Sequence, residues 1–238
     1  MMQLQASSLN VGYGSKVVFP NISFAANEGD MIALLGVNGI GKSTLLRTLS
    51  GLQKPISGSI TIAEKELDKL SAVDKAKLVS IVLTERIYID NIRARDFIAL
   101  GRAPYTSWLG QLNDKDEAIV QEVIDVMHLQ KLEAKFFNEM SDGERQKTLI
   151  ARALCQQTPL IILDEPTAFL DFRNKRDILG TLKNISEELK KTIIFSTHDI
   201  EAALEHCNKC WIMNEQQQFI EVMQSANFAA EAKRILEP

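Results

Sequence analysis

The chain has 238 residues, 45% of them hydrophobic and 24% charged, the proportions of a globular protein with ample length for a buried core rather than of a disordered, collagenous or membrane-integral one. Its 27 basic and 31 acidic residues give a formal net charge of −4, which leaves no global positive field for a polyanion and speaks against a nucleic-acid partner. No apolar run approaches the ~18 residues of a spanning helix, residues 1–10 lack the pattern of a signal peptide, and three cysteines fit a reducing, cytoplasmic compartment.

In chain order, residues 4–9, 17–19 and 59–62 are predicted as short strands parted by turn residues, together a small antiparallel layer. Residues 31–35 have the length and apolarity of a buried strand; a glycine-rich turn follows, then a helical run over 42–50 closed by Gly51. From Asn91 to about Leu154 the pattern is helical, and it includes residues 115–127 behind the capping residue Asn113. Ser141, with Glu144 three residues on, has capping-box spacing and opens a further helix. Leu160–Leu163 and Thr192–Ser196 are again short apolar strands, and residues 177–190 between them read as an exposed helix. No repeat or linker divides the chain. Such alternation predicts an α/β protein with a mainly parallel sheet covered on both faces and interrupted by a helical insert. Ligands of these sheets sit at the carboxyl ends of the strands.

The segment Gly36-Val-Asn38-Gly39-Ile-Gly41-Lys42-Ser43 matches G-x-x-x-x-G-K-[ST] between a strand and a helix. Glycines there let successive backbone N–H groups turn inward on phosphate oxygens, and the helix behind adds the positive end of its dipole. Lys42 brings a point charge to the β- and γ-phosphates, the Ser43 hydroxyl is a Mg²⁺ ligand, and Thr44 reaches the α-phosphate side. After the strand Leu160–Leu163 come Asp164, suited to holding Mg²⁺, and Glu165, placed to polarise an attacking water as general base. His198 follows the next apolar strand, where its imidazole reaches toward a γ-phosphate; the plainer role of a histidine at a strand end is that of a structural donor. The helix start at Ser141 and Gly143 is likewise either a simple cap or a dock for an anion. Cys207 and Cys210 form a lone C-x-x-C beside His206; without the paired spacing of a zinc module they read as small buried residues.

The order of glycine loop, Ser141-Asp-Gly-Glu-Arg-Gln146, Ile161-Ile-Leu-Asp-Glu-Pro166, Ala168-Phe-Leu-Asp171 and Ser196-Thr-His-Asp199 resembles the ATP-binding subunits of ABC transporters over essentially the whole chain. That resemblance implies a P-loop NTPase fold of the ABC ATPase type, one domain over 1–238. Its core with the β layer would occupy 1–85 and 155–238 and its helical subdomain 86–154. It implies that Tyr13 stacks on adenine, against the alternative of a turn tyrosine packed on the β layer. Ser141 and Gly143 would close on the γ-phosphate held by a partner copy, with Asp171 as the interface aspartate. The implied assembly is a homodimer on the cytoplasmic face of the membrane, docked to two permease subunits that a periplasmic substrate-binding protein supplies. Two positions depart from the family: Asp142 stands where glycine is usual, and Thr84 where a glutamine senses Mg²⁺. Thr84 offers the metal only a hydroxyl of shorter reach, so weaker or differently gated metal sensing is expected. The segment Gly101-Arg102-Ala-Pro104-Tyr105 resembles the G-R-x-P-Y of importer ATPases for iron-siderophore complexes, haem and vitamin B12. The implied activity is ATP hydrolysis powering uptake of a metal chelate. The alternatives are an export or lipid-extracting ATPase of the same family, a soluble ABC-type ATPase acting on ribosomes or DNA, and a P-loop small-molecule kinase.

Overall fold

Two strands of twelve residues each, β1 (Met2–Tyr13) and β2 (Lys16–Asn27), open the chain as an antiparallel hairpin. They are longer than the short segments read from the pattern at 4–9 and 17–19. The reason lies in the pairing: the β1–β2 ladder shifts register several times, and Ser8 and Asn21 take positive φ, so the two-residue alternation that betrays a strand is broken inside it. The computed structural model describes residues 1–238 apart from Arg86, Tyr88, Leu109, Phe169, Ala226, Glu237 and Pro238. Phe169, within the Ala168–Asp171 motif, and Arg86, at the expected start of the helical subdomain, therefore lie outside the described residues.

The central sheet is built from β3 (Met31–Gly36), β6 (Val79–Val82), β7 (Leu160–Leu163), β8 (Thr192–Ser196), β9 (Lys209–Met213) and β10 (Phe219–Met223), in the order β10-β9-β3-β8-β7-β6. The five strands from β9 to β6 run parallel and β10 is antiparallel to β9. The hairpin pairs with β4 (Ser57–Ile62), and that with β5 (Lys65–Glu66), into a separate four-stranded antiparallel sheet.

Side chains of the central strands alternate between two cores, as the pleat requires. On one side Ile32, Leu34, Ile162 and Ile194 pack with the antiparallel sheet and with Leu45, Leu46 and Leu49 of α1 (Lys42–Leu49). On the other, Ala33, Leu35, Ile161, Leu163, Ile193 and Phe195 meet the remaining helices. The short α2 (Ala72–Ala76) precedes β6. Between β6 and β7 lie α3 (Ala94–Ala99), α4 (Asp114–Val126) and α5 (Asp142–Cys155); α6 (Phe172–Glu188), α7 (Ile200–His206) and α8 (Phe228–Leu236) complete the chain. α6 begins five residues before the expected 177, capped by Asp171, and it is half-buried rather than exposed: Ile178, Leu179, Leu182 and Ile185 form its inner face. Its polar first turn, Phe172-Arg-Asn-Lys-Arg176, masks that start in the sequence.

The Gly101–Tyr105 segment explains itself here. Arg102 is buried, its Nε donates to Asp116 Oδ1 at 2.9 Å, and its Nη1 donates to the Cys155 carbonyl at the end of α5. Its guanidinium lies 4.1 Å from the centroid of the Tyr105 ring, and the Tyr105 hydroxyl donates to the Gln156 carbonyl. The arginine thus ties α4 to the carbonyl end of α5, where a cation is favoured. Burial works against the Asp116 charge, but the Arg102 guanidinium and the Asn113 amide outweigh it and hold the carboxyl below its ordinary value.

Removing Asp116 leaves Arg102 buried and unpaired, so Asp116→Ala is expected to cost about 3–5 kcal/mol in urea denaturation near neutral pH. Because the folded carboxyl titrates low, its contribution is complete above the unfolded value and lost as the pH falls through the folded one. The gap between wild type and variant therefore narrows below about pH 4; a gap that is absent at pH 7, or that widens in acid, contradicts this account.

Candidate functional site

Parallel strands bring their carboxyl ends to one edge, and the chemistry-bearing residues collect there. Past the end of β3 the chain turns through Gly36 to Gly41 into α1, and Asn38, Gly39, Gly41, Lys42, Ser43 and Thr44 line a cavity of about 290 Å³. The cavity is closed by Tyr13 and Val18 from the hairpin and by Glu165 from the end of β7. Gly41 sits at φ 118°, before the first residue of α1, and a Cβ there would lie 2.9 Å from Val18 Cγ1. At that φ, and with that neighbour, only glycine lets the chain enter the helix without strain.

Lys42 is buried, and its ammonium donates to the carbonyls of Gly36 at 2.7 Å and Val37 at 3.2 Å, which folds the side chain back along its own loop. Burial lowers its pKa, and the charges of Glu165 and Asp164 partly offset that. Tyr13 stands at the rim, largely exposed, with its hydroxyl 3.3 Å from Thr44 Oγ1.

The acid pair is held by a set of hydrogen bonds from neighbouring strands. Asp164 N–H donates to the Val82 carbonyl, Thr84 Oγ1 donates to the Asp164 carbonyl at 2.9 Å, and Ser196 Oγ donates to Asp164 Oδ1 at 2.6 Å. Glu165 takes a positive φ of 52°, its N–H donates to Ser196 Oγ at 2.9 Å, and its Oε1 lies 2.5 Å from His198 Nε2. His198 therefore reaches the carboxylate expected to be the base. Thr84, expected to sense a metal, has its hydrogen committed to a backbone carbonyl, and its neighbour Glu85 pairs with Arg47 of α1 at 2.6 Å.

Ser141 caps α5 in a full capping box: its Oγ accepts from Glu144 N–H while its own N–H donates to Glu144 Oε2. Lys135 donates to the same Glu144 oxygen at 2.7 Å, which, with the Ser141 amide, draws the carboxyl below its usual range. Gly143 faces Asn174 of α6, where an added Cβ would lie 3.3 Å from the amide carbon. Asn174 in turn donates from its backbone and its side chain to the two oxygens of Asp171. Gly143 and Asp171 are thus joined through Asn174, while neither they nor Ser141 line the loop cavity. Asp142 points into a neighbouring cleft of about 50 Å³ shared with Thr84, Glu85, Arg145, Asp164 and Glu165, and pairs with Arg145 at 3.5 Å.

Sequence reasoning missed Val18, Asn174 and Ser196. Asn174 was signalled by its three-residue spacing from a capping aspartate; Val18 and Ser196 take their roles only from tertiary contacts. Cys207 and Cys210 are buried with their sulfurs 3.6 Å apart, and His206 Nδ1 faces the Ala202 carbonyl, so the three do not converge on a metal. Among the described residues no group of three or more His, Cys, Asp or Glu could hold a metal ion. The oxygen donors of Ser43 and Asp164 suit a hard cation such as Mg²⁺, which takes the rest of its ligands from phosphate and water.

Comparison with known proteins fits this geometry. A family model described as ABC transporter matches residues 19–168. An uncharacterised ABC transporter ATP-binding protein of Methanocaldococcus jannaschii is 41% identical over 206 residues, 87% of this chain and 71% of that protein. The petrobactin import ATP-binding protein FpuC of Bacillus anthracis is 34% identical over 193 residues, 81% of this chain and 71% of that protein. Among solved structures, a metal-chelate type ABC transporter in an inward-facing conformation superposes with a TM-score of 0.82 at 28% identity, covering 94% of this chain and 84% of that one.

If the loop needs the backbone that only glycine provides, Gly41→Ala lowers stability by about 1–3 kcal/mol even without any ligand. Thermal unfolding of the ligand-free protein measures this, and an unchanged midpoint would show that position 41 is not constrained.

Proposed function

Because the chain belongs to the ABC transporter family, whose model spans residues 19–168, we propose that it is the ATP-hydrolysing subunit of an importer that takes up a metal chelate such as an iron-siderophore complex, haem or cobalamin. One observation carries the ATPase half of this reading: Glu165 lines the same cavity as Lys42, Ser43 and Thr44. A triphosphate in that cavity meets inward amides, an ammonium and a carboxylate together. The import half rests on relatives named for siderophore or hydroxamate import and on the metal-chelate transporter's fold.

In this mechanism the loop amides and the amino end of α1 bind the phosphate oxygens, and Lys42 exchanges its two loop carbonyls for the β- and γ-phosphates. Tyr13, at the rim, stacks on adenine. Ser43 and Asp164 would hold Mg²⁺, with Thr84 offering the lone pairs its hydrogen bond leaves free; when bound, the metal would supply positive charge against the phosphate oxygens. Glu165 takes a proton from the attacking water, and His198, on Glu165 Oε1, fixes that carboxylate and keeps the water in line.

The site is completed by a second copy of the chain. Gly143 and Asp171 are joined through Asn174, and neither they nor Ser141 line the loop cavity, so in this reading all three serve the nucleotide held by the partner rather than their own. The two ATP molecules are sandwiched when the homodimer closes, and hydrolysis lets it open. Asp142, next to Gly143, adds a carboxylate that its pairing with Arg145 draws aside.

Two permease subunits are the remaining partners, supplied by a periplasmic substrate-binding protein, and the chain works on the cytoplasmic face of the membrane without binding nucleic acid. Among the described residues no helix is long and apolar enough to cross a membrane, so the path for the cargo belongs to the permeases. An open groove of about 340 Å³ between α2 and the end of α5, lined by Leu52, Ala72, Ala76, Arg152 and Gln156, supports their docking there. Leu52 at its edge is 60% exposed, an apolar cost that a docked permease segment removes.

Glu165→Gln is expected to bind ATP and dimerise while phosphate release falls about 10²–10⁴-fold. Lys42→Ala is expected to weaken binding of a fluorescent ATP analogue about 10–100-fold, the loss of one charged contact. Phosphate release by Glu165→Gln at the wild-type rate would remove the base assignment.

A further inference from the structure

We propose that Ser196 is a positioning residue that sets both carboxylates of the site with one oxygen atom; the inference rests on reading Asp164 as the metal-holding group and Glu165 as the base. Ser196 is the last residue of β8 and fully buried. Its hydroxyl hydrogen goes to Asp164 Oδ1 at 2.6 Å, and a lone pair of the same oxygen takes the Glu165 N–H at 2.9 Å. One hydroxyl therefore uses its donor on one residue's side chain and its acceptor on the next residue's backbone.

The arrangement follows from register. β7 and β8 pair in parallel with Leu163 beside Phe195, so the residue after each strand pair stands at the site edge, Ser196 next to Asp164. Backbone ladder bonds end there, and the Glu165 amide finds its partner in the Ser196 side chain. Glu165 is also in the left-handed region at φ 52°, a conformation a glutamate adopts only when its surroundings hold it there. The bond from its N–H to Ser196 supplies that hold and directs the side chain to His198. On the Asp164 side, Ser196 occupies Oδ1, and among the described residues Oδ2 accepts no hydrogen bond, which leaves that oxygen for a cation. Thr84, just past the end of β6, steadies the same residue from the other side, but through the Asp164 backbone carbonyl only.

Ser196 is buried and does not line the loop cavity, so its effect is read through the two groups it aims. Ser196→Ala is expected to lower kcat about 10–100-fold, the usual loss when a residue supporting a metal ligand is removed. It should also raise the Mg²⁺ concentration for half-maximal turnover, and weaken Mn²⁺ binding to the nucleotide complex by paramagnetic resonance to a similar degree. ATP binding without metal should stay within about twofold of wild type, since the loop amides and Lys42 are untouched. Ser196→Thr keeps the hydroxyl and is expected to restore both the rate and the metal dependence. If Ser196→Ala does not fold, Ser196→Cys, of similar volume with a far weaker donor, is read in its place.

Wild-type metal dependence in Ser196→Ala, with any change confined to melting temperature, overturns the proposal. So does a folded Ser196→Thr that behaves like the alanine variant. Asp164→Asn and Glu165→Gln separate the two levels: if they too turn over at the wild-type rate, the reading of the site has failed, whereas if they are inactive and Ser196→Ala is not impaired, only the role of Ser196 has.

Discussion

A strand buried on both faces has nowhere to put a charge except at its end. β3, β7 and β8 are apolar along their length because one face packs on the antiparallel sheet and α1 and the other on the remaining helices. Their polar residues are therefore pushed to the strand ends, and parallel pairing makes the carboxyl edge common to all of them. The loop after β3, the carboxylates after β7 and His198 after β8 are far apart in the chain yet become neighbours once the sheet order is β3-β8-β7. The site is a consequence of which strands lie side by side.

That edge is costly to arrange. Polar groups there are partly dry, and each needs a partner whether or not a ligand is present. Lys42 meets this by bonding two carbonyls of its own loop, the Asp164 carboxylate by accepting from the Ser196 hydroxyl, and the Glu165 carboxylate by bonding the His198 imidazole. Such partners are exchangeable in a way that buried salt bridges are not. The buried pair of Arg102 and Asp116 illustrates the other strategy: it lies in the helical insert, away from the loop cavity, where a fixed link between α4 and α5 is useful and exchange is not.

Much of this was legible in the residues because local physics determined it. The glycine loop, the strand ends at Asp164 and His198, the cap at Asn113 and the capping box at Ser141 are set within a few positions of chain, and the helix starts and strand ends fall where that spacing indicates. The strands Leu160–Leu163 and Thr192–Ser196 fall where the apolar runs do. What was not legible depends on distant contacts. The full length of β1 and β2 is hidden by bulges that only the partner strand reveals. The buried face of α6 is concealed by its charged first turn, and the Arg102–Asp116 pair joins two separate elements, the segment after α3 and the start of α4. Ser196 stands inside a motif read for its histidine, but its bonds to the Asp164 carboxylate and the Glu165 amide exist only because β7 and β8 are in register.

The central claim is that an ATP bound by one copy's glycine loop is enclosed by the Ser141 end of another. Mixing two defective chains tests it most directly: Lys42→Ala, with a failed loop and an intact Ser141 end, and Ser141→Arg, with the reverse. Each alone is expected to retain no nucleotide after rapid gel filtration. In a heterodimer one site joins the intact loop of the second chain to the intact Ser141 end of the first, so the mixture should trap about one ATP per heterodimer. A mixture that retains no more than the two variants measured separately would contradict a shared site, because a loop completed within its own chain gains nothing from a partner.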